Sequence, residues 1–167
     1  MQKLKYLTAY EPKVINQIQS LIDNDQLGQF IFNKYPEAHN ITSARALYDY
    51  AIDIKNDYLR KSSVLGKVIY DDKIHVINDA LGLHTYISRV QGKKLKAKSE
   101  IRVSTLFKRS PLPFLRMIVV HELAHLKEKQ HNKAFYQLCR HMEPDYHQIE
   151  FDLRLYLTHL DFGEALY

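Results

Sequence analysis

The run "FLRMIVVHELAHL", residues 114–126, constrains this chain more than any other stretch. Its apolar residues fall on every side of a helical wheel, so the helix they predict has no face to spare for water and belongs at the centre of a domain. Within it stand His121, Glu122 and His125, polar groups that need partners once buried. Residues four apart lie one above the other on a helix, so the two imidazoles can meet at a single point. Glu122 is turned by about 100° around the axis, which keeps its carboxylate off that point yet close to it. This is the HExxH arrangement: two histidines for a zinc ion, and a glutamate that takes a proton from water acidified by the ion.

A catalytic zinc takes three protein ligands and leaves one position open. His131 is the best third ligand, but six more residues of unbroken helix would swing its side chain through about 240° and away from the ion. The helical signal opens at Ser110 and Pro111 and continues to about Gln130, so the assignment requires a break between Leu126 and His131. The spacing HExxH-x5-H equals that of the metzincins, which carry a glycine three residues after the second histidine; Glu128 stands at that place here. Asn132 is suited either to making the turn or to capping the next helix. The fallback third ligand is a downstream carboxylate, Glu143 or Glu150. Cys139 is the only cysteine, which excludes an intramolecular disulfide and a cysteine-based zinc site and leaves it as a small buried hydrophobe.

The first sixty residues read as helical. Val14, Ile15, Ile18, Leu21 and Ile22 share one face after Pro12, and Leu47, Tyr48, Ala51, Ile52, Tyr58 and Leu59 share another after a cap at Ser43. From Val64 the pattern shortens to "VLGKVIY", "KIHVI", "HTYISRV" and "KLKAKSEIRVSTLF", rich in β-branched and aromatic residues, with "VQGKK" as a hairpin turn. Links this short predict an antiparallel sheet. Helices return after "KRSPLP", the second of them near Asn132 and the third at Pro144, with Tyr146, Ile149, Leu153, Tyr156 and Leu160 on one face. The expectation is an α+β fold in one domain over 1–167: a helical part (1–62), then a small antiparallel sheet of three to four strands and the metal-binding helices (63–167).

"IRVSTLFKRSPLPFLRMIVVHELAHLKEKQHNKAFYQLC" resembles the YgjP-like metallopeptidase-domain family, grouped with the WLM and SprT-like zincins. The likeness extends over nearly the whole chain, including "KIHVINDALGLHTYISRVQGKKLKAK". It implies a zincin-like fold with one zinc on His121, His125 and His131, Glu122 as general base, and Phe135 and Tyr136 packed behind the third ligand. One departure is that many members carry a tryptophan-glycine-serine stretch before the helix, where this chain has "KKLKAKSE" and no tryptophan. The resemblance implies a metallopeptidase. Some relatives are instead described as pyrophosphatases acting on UTP, and SprT-like proteins as proteases of nucleic-acid-bound protein.

The net charge of +5 suits an anionic substrate. On a strand from Lys94 to Thr105, residues Lys94, Lys96, Lys98, Glu100 and Arg102 share a face, either a plain solvated surface or a cationic wall for polyphosphate, with Arg89 or Arg102 steadying phosphoryl charge. A peptidase would use the Glu100–Leu106 strand as an edge and His84, Tyr86 or Tyr136 as a donor. No nucleic-acid-binding module is apparent. "MQKLKYLTAY" lacks the apolar stretch of a signal peptide, and no segment nears the ~20 apolar residues of a membrane span, so a cytoplasmic protein is expected. Oligomeric state is left open.

Overall fold

A computed structural model of the chain describes residues 4–74, 88–93 and 98–167. Three helices come first, α1 (Pro12–Asp23), α2 (Leu27–Lys34) and α3 (Ala44–Tyr58). Strands β1 (Val64–Asp71), β2 (Ser88–Lys93) and β3 (Lys98–Ser104) follow, and a 3-10 turn at Thr105–Arg109 leads into α4 (Leu112–Ala124), α5 (Lys133–Met142) and α6 (Tyr146–Phe162). Local signals account for the starts. Pro12 occupies the first turn of α1, and the Ser43 hydroxyl caps α3 by accepting from Ala46 N at 3.0 Å. Helix α2 had no apolar stripe to single it out; it is held by Leu27 and Ile31, both buried.

The fold is α+β, but the expected antiparallel sheet is corrected. Strand order is β1-β3-β2, with β1 parallel to β3 from Val64↔Lys98 to Asp71↔Ser104, the register skipping Gly66, and β2 antiparallel to β3 from Ser88↔Val103 to Lys93↔Lys98. The reason is topological. Strand β2 takes the far side of β3 and runs opposite to it, so β1 and β3 become parallel neighbours. The turn expected at "VQGKK" is corrected too: Val90 to Lys93 are paired strand. Residues 75–77 of "KIHVI", 84–87 of "HTYISRV" and 94–97 lie outside the described residues.

Helix α4 is the centre. Phe114, Leu115, Met117, Ile118, Val119, Val120, Leu123 and Ala124 are all at 0% exposure, as the all-round apolar pattern requires. The inward face of β3 contributes Ile101 and Val103, also fully buried. Among the described residues no helix is long and apolar enough to cross a membrane.

On α6 the core contains an unusual pair. Glu150 and Arg154 are 3% and 1% exposed, with Arg154 Nε 3.9 Å from Glu150 Oε1, and Arg154 also donates to the Tyr6 carbonyl. Neither Glu150 oxygen has a hydrogen-bond partner. Burial pushes the Glu150 carboxyl up to about 8, against the pull of Arg154. The folded protein therefore holds this proton over a pH range in which the unfolded chain, releasing it near 4.5, does not. Folding takes up a proton there, and stability falls as pH rises. Wild-type stability should decline relative to Glu150→Gln between pH 5 and 8 and level off above, read from denaturant midpoints at pH 5, 6.5, 8 and 9. A pH-independent difference would remove the buried carboxyl from the linkage.

Candidate metal centre

The site forms where α4 stops. Beyond Ala124 the backbone tightens, with Leu126 N bonded to Leu123 O at 3.0 Å and Lys127 N to Ala124 O at 3.1 Å. The Glu128 carbonyl, which a continuing helix would use for the residue four along, instead lies 2.9 Å from His125 Nδ1. The helix expected to reach about Gln130 ends at Ala124, and the Glu128 carbonyl beyond it serves the second histidine. Among the described non-glycine residues only Asp25 has a positive φ. The turn before His131 therefore needs no left-handed residue, and Glu128 can stand where the metzincin pattern has glycine. Asn132 is in extended conformation and caps α5, its Oδ1 accepting from Phe135 N at 2.8 Å.

This reversal brings His121, His125 and His131 together. His131 Nε2 is 3.1 Å from His125 Nε2 and 3.2 Å from His121 Nε2, and one nitrogen from each ring lies within 4.8 Å of the others. A tetrahedral ion with bonds of about 2.0–2.1 Å has ligand edges of about 3.3–3.4 Å, so two of the edges already fit. Proton placement fits as well. The Glu128 carbonyl can only accept, so His125 carries its hydrogen on Nδ1 and turns the Nε2 lone pair inward. His121 Nδ1 is likewise engaged, 2.8 Å from the Tyr146 hydroxyl. Lone pairs gathered this closely repel unless a cation lies among them, so the donor set suits a metal ion.

The setting favours the neutral form of His125 and holds all three rings in place. His121 is 4% exposed, and burial lowers the His125 pKa, partly offset by backbone acceptors at Glu128 and Lys129. Phe135, fully buried, packs against all three rings with centroids at 4.9, 4.6 and 4.9 Å. Tyr136 lies beside it at 5.2 Å. Phe135 takes the position expected of it behind His131, and Tyr136 packs against Phe135, Tyr146 and His147. Glu122 is 2% exposed; its Oε1 lies 3.8 Å from His121 Nε2, close to the cluster without belonging to it.

The fallback ligands are elsewhere. Glu143 pairs with Arg116 at 3.4 Å, and Glu150 lies beside Arg154. Cys139 is fully buried, and burial pushes its thiol up to about 12, as befits a small core residue. Arg102, expected to steady phosphoryl charge, is committed to Asp71 at 3.0 Å and Glu100 at 3.1 Å. Two carboxylates neutralise it, which argues against a phosphate-binding role. Arg89 stands opposite Arg102 in the sheet register. Lys94, Lys96, His84 and Tyr86 lie outside the described residues. Sequence reasoning missed a concavity of about 380 Å³ beside the α4 turn, lined by Arg60, Lys61 and Lys127 with Asp57. It also missed the contact of Tyr146 with His121, because Tyr146 reads only as one more residue of an apolar stripe.

A family model described as the YgjP-like metallopeptidase domain matches residues 87–156. A protein of Escherichia coli (strain K12) named UTP pyrophosphatase is 57% identical over 164 residues, 98% of each chain. No solved structure matches significantly. The cap that delivers the third histidine is directly testable. Asn132→Ala should cost about 1 kcal/mol of stability, measured by urea denaturation of the metal-free protein; an unaltered midpoint would show that the side chain does not hold α5.

Proposed function

The chain belongs to the YgjP-like family, and from that membership we propose a zinc-dependent hydrolase that splits nucleoside triphosphates, UTP foremost, into the monophosphate and pyrophosphate. The hydrolase class is common ground between the family description and the similar protein. The choice of substrate draws on the 57% identity over 98% of both chains with a protein named UTP pyrophosphatase. The observation that carries the chemistry is the convergence of three imidazoles with a buried carboxylate 3.8 Å from one of them.

His121, His125 and His131 would hold the ion. When bound, zinc supplies Lewis acidity, lowering the pKa of water towards ~7 and offsetting negative charge on phosphate oxygens. Glu122 accepts the proton as the water oxygen bonds to the α-phosphorus. The bond from that phosphorus to the bridging oxygen breaks, and pyrophosphate departs with its electron pair. Burial aims the carboxylate at the site, and Phe135 keeps water from behind the ligand rings. The polyphosphate needs cations. Arg60, Lys61 and Lys127 supply them beside the turn, none of the three having an ion pair among the described residues.

The family description keeps peptide hydrolysis as the second reading. One panel separates the two: zinc-loaded wild type and Glu122→Gln, each incubated with nucleoside triphosphates and with an unfolded protein. We expect pyrophosphate release from UTP in the wild type. Glu122→Gln should retain zinc and lose turnover by several orders of magnitude, because the ligands stay and the proton acceptor goes. Protein fragments without pyrophosphate would transfer the assignment to the peptidase. Lys61→Glu combined with Lys127→Glu should raise KM for UTP several-fold, and rising salt should do the same to the wild type. An unmoved KM would detach the concavity from the substrate.

A further inference from the structure

We infer that Tyr146 is a positioning residue for the metal centre: its phenol oxygen holds His121 in the one tautomer that can bind the ion. The inference rests on the triad being a metal site and concerns what makes it bind tightly.

The first turn of α6 places Tyr146 against the far side of His121. The residue is 1% exposed, its ring lies nearly parallel to the imidazole at 15°, and its oxygen is 2.8 Å from Nδ1. His121 Nε2 faces the other two histidines, so a metal-binding lone pair on Nε2 requires the hydrogen to be on Nδ1, donated to the phenol oxygen. His125 meets the same requirement through a backbone carbonyl, which no side-chain substitution can remove. His121 alone of these two depends on a side chain.

A phenol, unlike a carbonyl, can also donate, and would then favour the wrong tautomer. What directs it is where its own hydrogen goes. The Cys139 thiol lies within hydrogen-bonding reach of Tyr146 and is fully buried, so its sulfur can accept the phenol hydrogen. The order His121 Nδ1–H to Tyr146 O, then Tyr146 O–H to Cys139 Sγ, satisfies each group in turn. Cys139, inert as a nucleophile, thereby gains a role as the end of this relay.

A purely structural tyrosine predicts something different from Tyr146→Phe. The phenylalanine ring keeps the packing and loses only the oxygen. Without metal, His121 can move its hydrogen to Nε2 and share it with His131 Nε2, 3.2 Å away, so the apo protein has an escape. With metal bound it has none, and the buried Nδ1–H loses its phenol acceptor. The loss therefore appears in the affinity for metal rather than in the apo fold.

The test uses zinc and cobalt alone, with no substrate. We expect Tyr146→Phe to bind zinc 10- to 100-fold more weakly in chelator competition, with the apo melting temperature kept and the stabilisation by metal reduced. The cobalt d–d absorption should also shift, reporting an altered ligand field. Zinc affinity within two-fold of wild type, or an apo melting temperature that falls as far as the metal-loaded one, would overturn the inference. Should the variant not fold, long-range ¹H–¹⁵N spectra of the wild-type zinc protein decide. A protonated, slowly exchanging Nδ1 on His121 sustains the inference, and a protonated Nε2 ends it. Failure of the wild type to bind zinc would instead remove the triad as a metal site, a separate result from equal binding by both proteins.

Discussion

The Nε2 atoms of His121 and His125 each lie about 3 Å from that of His131, and much of the carboxy-terminal half of this molecule serves to hold them there. The force comes from burial. A helix apolar on every side has to lie at the centre, which carries His121 inside with it. The turn after Ala124 then returns the chain so that α5 closes over the same point, with Phe135 wedged behind the rings. Hydrophobic packing thereby holds together three nitrogens that a bound cation, or a hydrogen shared between rings, can bridge.

The site was legible in the sequence to the extent that helical geometry reaches. Two histidines four apart and a glutamate 100° round the axis fix relative directions without any knowledge of the fold. Even the break before His131 followed from the impossibility of an unbroken helix. What could not be read was how the break is made. The acceptor that His125 takes from Glu128 is a backbone group, invisible in any pattern of side chains. Tyr146 was hidden for a related reason: its apolar body fits a helix stripe, and only tertiary packing reveals what its hydroxyl touches.

The sheet was read less well. Alternation in β3 separated Ile101 and Val103 from Glu100 and Arg102 as expected, yet pairing order is not encoded in alternation. Short links suggested sequential neighbours, whereas β2 passes to the outer side of β3. The consequence extends to charge. With β1 alongside β3, Asp71 comes within reach of Arg102, and a guanidinium that looks available in one dimension is neutralised in three. The charge surplus is better sought where the adjacent Arg60 and Lys61 share a concavity with Lys127, distant in sequence, because α3 ends near the α4 turn.

The place of β3 also bears on how the protein is made. Among the described residues both outer strands pair with β3 alone, and it is the last of the three to be synthesised. Strand β1 must therefore wait with its hydrogen-bonding edges open until the ribosome has delivered residues beyond 98, a period in which it is exposed to pairing with other chains. The segment that ends this exposure runs straight on through the 3-10 turn into α4. The step that shields the nascent strand thus also brings in the helix that carries His121 and ends at His125, so sheet assembly comes before the turn that adds His131 to the cluster.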